Sequence, residues 1–473
     1  MSSSLTTLPF EVVVAIFSFI PQSDRKKWIF RTARLVCSEW NNCILSSLNI
    51  LIQVPPRQSI KKSNGNRYQP ILNGFRERDY FQNISSLKFG KFFDVSLLYK
   101  CTVTTIQKSS QYENTMSCIN PFEKFSNLHN LCLHDAGLSG HELIMICKHS
   151  ENLRTLKSLT LSRNKLTFKE VQLIVGCQYF NLTSLNLSDN DINNDGCVEI
   201  VCGKSMEKLT HLDLSKNPIN DINIFAHNLK QLRHLNVSDC PLEKDAHVFA
   251  TSENLKNLKE FLSKRHRMDK GCIDIASSPV IEFVSLSFED CFNLGCDHVL
   301  KLACNERMKN LTSLNLAQNE IGDTGLVALA QSEFMSNLKF LNLNTNVVTF
   351  EGIQALATSR FMSNLEYLHL GNDSHLDSIR EYSYNKVSKE SLLVLVNSPY
   401  MSQLRTLILC RNTINDHQCE IIASGKYMKN LTYLDISDDK SRYYKGLKKR
   451  SYKRLMNSTV FKLKHLEMTF QDP

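Results

Sequence analysis

Glycine and proline are scarce in this chain, with 16 and 11 copies in 473 residues, about half their average usage. That scarcity excludes collagen-like and low-complexity classes and leaves little room for glycine-lined phosphate loops. Sixteen cysteines are present, but no two have the two-residue spacing of a zinc knuckle or a redox motif. A His-Glu-x-x-His motif is missing, since His141-Glu142 lacks its second histidine. Gly203-Lys204-Ser205 has the look of the end of a phosphate loop, yet Val198 stands where the first glycine would be. Catalysis, a metal and a cofactor are therefore not expected. No apolar run is long enough to span a bilayer. Val12–Ile20 could pass for the middle of a signal peptide, but Glu11 abuts it, no positive charge precedes it, and Arg25, Lys26 and Lys27 follow. Scattered cysteines and this reversed polarity point to a reducing compartment, cytoplasmic and/or nuclear.

What is present is ordinary globular material: 42% hydrophobic and 22% charged residues, enough for a sizeable core. The net charge is 56 − 47 = +9, and eight basic residues with no acid fall between Lys440 and Arg454. One segment thus carries nearly the whole excess, so a global field for nucleic acid is not indicated. That segment reads either as a nuclear-localisation or acidic-partner patch, or as a solvated outer helix of the last full repeat.

The dominant feature is an internal repeat, Leu-x-x-Leu-x-Leu-x-x-Asn-x-Ile/Leu. It is clear at Leu156/Leu159/Leu161/Asn164, Leu182/Leu185/Leu187/Asn190, Leu209/Leu212/Leu214/Asn217, Leu311/Leu314/Leu316/Asn319, Leu338/Leu341/Leu343/Asn346 and Leu404/Leu407/Leu409/Asn412. Weaker copies start at Leu128, Leu232, Phe283, Leu365, Leu431 and Leu463, and successive starts such as 156, 182 and 209, or 311, 338 and 365, lie 26 or 27 residues apart. Each unit opens with period-two apolar positions, a short strand, and continues with a helical pattern such as Gly325–Gln331. This pattern resembles the leucine-rich repeat in its longer, ribonuclease-inhibitor-type form. The resemblance implies an α/β solenoid, a horseshoe with parallel strands on the concave face and helices on the convex face. It also implies that the fixed asparagine bonds backbone at the turn leaving the strand, with Cys240 and Cys291 replacing it in two copies. The pattern lapses between Ser252 and Glu282, where Lys264-Arg265-His266-Arg267 lies. Between Leu365 and Leu404 the step lengthens to 39 residues, an insertion covering Asp373–Lys386. Insertions of this kind map to loops on one face, often the binding face.

The start of the chain follows another pattern. Val12, Val13, Val14, Ala15, Ile16, Phe17, Phe19 and Ile20 would surround a helix rather than stripe it, which demands burial on every side. A module this small rarely supplies that cover itself. Leu8-Pro9, Glu11 with its valine run, Ile16-Phe17, Ile20-Pro21 and the closing Val36-Cys37-Ser38-Glu39-Trp40 resemble the F-box in order and spacing. An F-box ahead of leucine-rich repeats is similar to the F-box/leucine-rich-repeat family, substrate receptors of cullin-RING ubiquitin ligases. The resemblance implies that Leu8, Pro9, Val12, Ile16, Phe17, Leu35, Val36 and Trp40 dock on a Skp-family adaptor, and through it on a cullin. The other reading makes these helices a cap on the solenoid of a ligase-independent interaction scaffold.

The expected organisation is a helical F-box-like module over 1–48, a linker and irregular lead-in over 49–83, and a solenoid over 84–473 with insertions near 252–282, 373–388 and 438–456. Residues between the inward leucines line the concave face. One column there reads Ser313, Phe340, Tyr367, Thr406, Tyr433, and its neighbour reads Asn315, Asn342, His369, Ile408, Asp435. The corresponding early positions, including Ser184, Asn186, His211 and Asp213, are small or polar. Exposed aromatics favour hot spots. A protein substrate is expected at Phe340, Tyr367, His369, Ile408, Tyr433 and Asp435, unless these rings only pack laterally on each other. Neither a membrane nor a nucleic acid is expected as partner.

Overall fold

The computed structural model describes residues 128–470, apart from 136, 139, 149, 268, 292–293, 373–383 and 439–445, together with the backbone of Ile52–Val54 and Ser86–Phe89. The chain divides into two compact units, Met1–Gly137 with Lys148–Leu159, and Leu138–Cys147 with Thr160–Pro473. In the first, Ile52–Val54 pairs in parallel with Ser86–Phe89, which pairs in parallel with Asn130–Leu133.

The second unit is built from one repeated step. Strands Ser184–Asn186, His211–Asp213, His234–Asn236, Glu260–Lys264, Ser285–Glu289, Ser313–Asn315, Phe340–Asn342, Tyr367–His369, Thr406–Ile408, Tyr433–Ile436 and His465–Met468 pair in parallel, each with the next in sequence. Parallel neighbours need a crossover, and here a helix or turn of 3-10 helix supplies it. In the three-residue strands the middle residue points inward: Leu185, Leu212, Leu235, Leu314, Leu341, Leu368 and Leu407 are fully buried, as is Leu434 of Tyr433–Ile436. Each such leucine is worth about 1.5–3 kcal/mol on burial, and no single repeat encloses its own. The helices close the other side of the core. Gly322–Gln331 buries Leu326, Leu329 and Ala330, and Phe350–Thr358 buries Ile353, Leu356 and Ala357.

Polar groups that this stacking would strand are satisfied from the neighbouring repeat. Asn190 Oδ1 accepts from the amides of Asn164 and Leu166, while its Nδ2 donates to the carbonyls of Leu161 and Leu187. Asn217 and Asn319 repeat the arrangement. A second ladder is made of serines. Ser252 Oγ donates to Ala226 O at 2.5 Å, Ser278 to Ala250 O at 2.6 Å and Ser332 to Ala303 O at 2.6 Å. These bonds serve carbonyls at the helix C-terminal ends, which have no partner within their own helix.

One expectation needs correcting. The stretch 252–282 is a full repeat rather than a lapse, with strand Glu260–Lys264 and helix Asp269–Ala276. Its pattern is hard to read because Phe261 and Ser263 stand where leucines stand elsewhere, and His266 takes the asparagine place. In the long step, residues 373–383 lie outside the described set, and the asparagine ladder resumes beyond them. Asn385 Oδ1 accepts from the amides of Asn346 and Val348, and its Nδ2 donates to Leu343 O at 2.7 Å. At 438–456 the helix Lys449–Met456 buries Ser451 and Leu455. Lys448 and Arg450 pair with Asp416, and Arg454 with Glu420. The described part of the basic segment is therefore an outer helix laid against the preceding one.

Candidate partner-binding face

Strand alternation leaves one residue on each side of every buried leucine facing away from the helices, and the in-register parallel pairing lines these residues up as columns. Phe340 stands beside Tyr367, Tyr367 beside Thr406, Thr406 beside Tyr433, and Tyr433 beside His465. In the adjacent column Asn342, His369, Ile408, Asp435 and Glu467 follow in order. All six expected contact residues thus share one face, each half-buried.

Their rings pair. Phe340 and Tyr367 stack with centroids 4.2 Å apart and planes 16° from parallel, and Tyr433 stacks on His465 at 4.9 Å and 16°. Lateral packing is therefore part of what these rings do. Stacking also fixes them in the plane a partner would meet, so little side-chain entropy remains to be lost on binding.

The far end of this face is electrically tuned. Tyr433 Oη donates to Glu467 Oε1 at 2.8 Å, and His465 Nε2 lies 2.9 Å from the same oxygen. These hydrogen bonds hold the Glu467 carboxyl below the usual carboxylate range. Burial, the bond to Glu467 and its charge push the Tyr433 phenol up, so it remains a neutral donor. Burial likewise raises Asp435, against hydrogen bonds from Ser437 that favour its ionised form. Tyr367 is raised by burial and by Cys410 and Asp435 nearby. His465 and Glu467 were not among the expected residues. The copy starting at Leu463 places them in the same two columns, and that signal was available in the sequence.

Earlier strands present a different chemistry on the same face. His211 and His234 stack at 5.7 Å, His234 Nδ1 is 2.8 Å from Glu260 Oε2, and Asn186 Nδ2 donates to Asp213 Oδ2 at 3.2 Å. The phosphate-loop resemblance dissolves here: Gly203 ends a helix, and Ser205 Oγ donates to Val175 O at 2.6 Å. Leu8, Pro9, Val12, Ile16, Phe17, Leu35, Val36 and Trp40 lie outside the described residues, as does the 373–383 part of the insertion.

A family model described as leucine-rich repeat matches residues 180–201, 205–222 and 307–330. These are leucine-rich repeats. Among solved structures, an internalin (InlF) from Listeria monocytogenes is similar at 17% identity and a TM-score of 0.42, covering 88% of this chain and 99% of that one. The TLR13–ssRNA13 complex is similar at 16% identity and a TM-score of 0.46, covering 82% of this chain and 55% of that one. Internalin C2 from Listeria monocytogenes follows at 20% identity and a TM-score of 0.33, covering 44% and 84%. No curated protein matches the chain in sequence. Among the described residues no helix is long and apolar enough to cross a membrane.

Proposed function

We propose that this chain is the substrate-receiving subunit of an SCF-type cullin-RING ubiquitin ligase. Residues 1–48 dock on a Skp-family adaptor, and the repeat face from Phe340 to Glu467 holds a protein substrate. The observation that carries the reading is the ordered set Leu8-Pro9, Glu11 and its valine run, Ile16-Phe17, Ile20-Pro21 and Val36-Cys37-Ser38-Glu39-Trp40 in a chain whose later residues form leucine-rich repeats. So much apolar surface in so short a module requires cover from another surface. The chain itself makes and breaks no bonds. It raises the local concentration of a substrate lysine near a charged conjugating enzyme. The reading places the protein in the cytoplasm, the nucleus or both.

Co-expression with a Skp-family adaptor tests this. A stoichiometric complex lost on Leu8→Ala/Pro9→Ala is expected. A monomeric chain that ignores the adaptor, and is unchanged by that substitution, would instead mark a scaffold whose first helices cap its own repeats.

A further inference from the structure

The asparagine ladder is interrupted in three successive repeats, and the replacements are not inert. Cys240, His266 and Cys291 stand at the positions that Asn217 holds before them and Asn319 after them. Cys240 keeps a remnant of the ladder, with Sγ 3.3 Å from Leu214 O. The other two meet a third residue. His266, just past strand Glu260–Lys264, Cys272 on helix Asp269–Ala276, and Cys291, just past strand Ser285–Glu289, bring their donor atoms within 4.8 Å of one another. His266 Nε2 lies 2.9 Å from Cys291 Sγ and 3.9 Å from Cys272 Sγ. All three residues are buried, at 2%, 2% and 4% exposure.

From this cluster we infer a binding site for one thiophilic closed-shell metal ion, zinc(II) or copper(I), held by His266, Cys272 and Cys291 and joining two consecutive repeats. Zinc bonds of about 2.3 Å to sulfur and 2.0–2.1 Å to nitrogen set tetrahedral donors roughly 3.5–3.8 Å apart. The observed separations bracket that span, so occupancy needs only small side-chain adjustments. On binding, the two thiols release their protons to solvent, the thiolates bond to the ion, and Nε2 offers its lone pair. Two thiolates and one imidazole select soft or borderline ions over magnesium or calcium.

The surroundings suit such an ion. Phe288 meets His266 edge-on at 6.5 Å, and Phe261 lies 6.1 Å from Phe288, a dry shell that excludes water from the sulfurs. Ser263 takes a place that a leucine fills in other repeats. It is fully buried, its carbonyl is 3.9 Å from Cys291 Sγ, and its hydroxyl has no hydrogen-bond partner among the described residues. A small polar residue here leaves room and a spare oxygen in the layer that holds the cluster. Copper(I) is satisfied by three soft donors, whereas zinc takes a fourth.

Substitutions that restore the ladder make the test clean, because asparagine is what the repeat carries at these places. Full-length chain, purified without oxygen and under reduction, is loaded separately with zinc(II) and with copper(I), gel-filtered, and assayed for metal per chain. Cobalt(II) serves as a spectroscopic probe of thiolate ligation. The expected result is one zinc or one copper(I) per chain and intense sulfur-to-cobalt absorption, both lost in His266→Asn and Cys291→Asn while circular dichroism stays native. Cys419→Ser, at a buried cysteine elsewhere, should keep both signals. Retention of zinc in a competition with a strong chelator, or of copper against a copper(I) chelator, tells which ion the site prefers. The inference is overturned if the native chain takes up no more of either ion than His266→Asn does, or if the cobalt bands survive in Cys291→Asn. Thiol–imidazole hydrogen bonding would then be the whole role of the cluster.

Discussion

Asp416 caps a helix other than its own. It sits in the first turn of helix Asp416–Ala423, yet its Oδ1 accepts from Ser451 Oγ at 2.5 Å and from the Lys448 amide at 3.1 Å, at the start of helix Lys449–Met456. Lys448, the residue at the cap position, makes no side-chain cap of its own. Asp323 does the same for helix Phe350–Thr358, accepting from the Thr349 amide at 2.8 Å and the Gly352 amide at 3.0 Å. Each carboxylate thus supplies the orphan donors of the next repeat, and neighbouring repeats are coupled through helix ends as well as through leucines.

Partial burial would raise Asp416, but Ser451, the Lys448 amide and the charges of Arg450 and Lys448 outweigh it and hold the carboxyl below its ordinary value. A lowered folded value means that the contribution is full above the ordinary carboxylate range near pH 4, and fades as pH falls through the folded value. Asp416→Ala should cost about 1 kcal/mol at neutral pH. Hydrogen exchange of amides in helix Lys449–Met456 should speed up in the variant at pH 7, and the gap to the native chain should close toward pH 3. An unchanged gap across that range would assign the effect to packing rather than charge.

Buried ladder asparagines should matter far more than exposed ones of the same repeat. Asn319 Nδ2 donates to the carbonyls of Phe288, Leu316 and Ala317 at 2.7, 2.8 and 3.1 Å, and its Oδ1 accepts from the Cys291 amide at 3.0 Å. Alanine there leaves buried backbone groups unpaired, at about 1–3 kcal/mol for each that finds no substitute. Asn319→Ala should therefore lose about 3 kcal/mol or more in urea unfolding. Asn310→Ala, which gives up only an exposed contact to Glu282 at 3.3 Å, should stay within about 0.5 kcal/mol.

Much of this was legible in the sequence, because period-two leucines and a fixed asparagine are local signals whose burial the stacking then enforces. Two things were not. His266 reads as part of the basic run Lys264–Arg267, and only alignment with Asn217 and Asn319 shows that it faces inward. Its meeting with Cys272 and Cys291 depends on a helix and a second repeat, so spacing along the chain cannot announce it. Asn385 is similar: twelve residues separate it from Asn372, and the chain returns to the ladder place only because Leu343 O and the amides of Asn346 and Val348 need a partner. The candidate face was legible as columns, but the pairing of Tyr433 with His465 and Glu467 depends on side-chain geometry that no pattern encodes.

Close packing between turns gives a further measurable contrast. A Cβ on Gly425 would come 2.5 Å from Val396 Cβ and 3.0 Å from Val396 O. Neither atom can swing away, since both are fixed by the backbone. Gly425→Ala should lose about 1–3 kcal/mol. At Gly295 the nearest atom, Glu320 O, would be 3.7 Å from the added carbon, so Gly295→Ala should move stability by no more than about 0.5 kcal/mol. Thermal unfolding of the two variants in parallel checks the pair, and equal losses would refute the packing account.

Phe340 and Tyr367 decide whether the aromatic column is an interface or only a wall. Their stack at 4.2 Å should show a coupling of about 0.5–1.5 kcal/mol in a double-mutant cycle on stability. That much follows from geometry whether or not a partner binds. A partner site adds a separate signature: each single alanine substitution should cut capture of co-purifying proteins by about 2 kcal/mol, some thirtyfold, as a central aromatic anchor does. Ser184→Ala, on an early strand of the same face, should leave capture intact. Quantitative mass spectrometry of material bound to native, Phe340→Ala, Tyr367→Ala and Ser184→Ala chains, with and without proteasome inhibition, reads this directly. If Phe340→Ala and Tyr367→Ala lower stability yet retain every captured protein, the rings serve the solenoid alone, and the proposed partner site on this column is overturned.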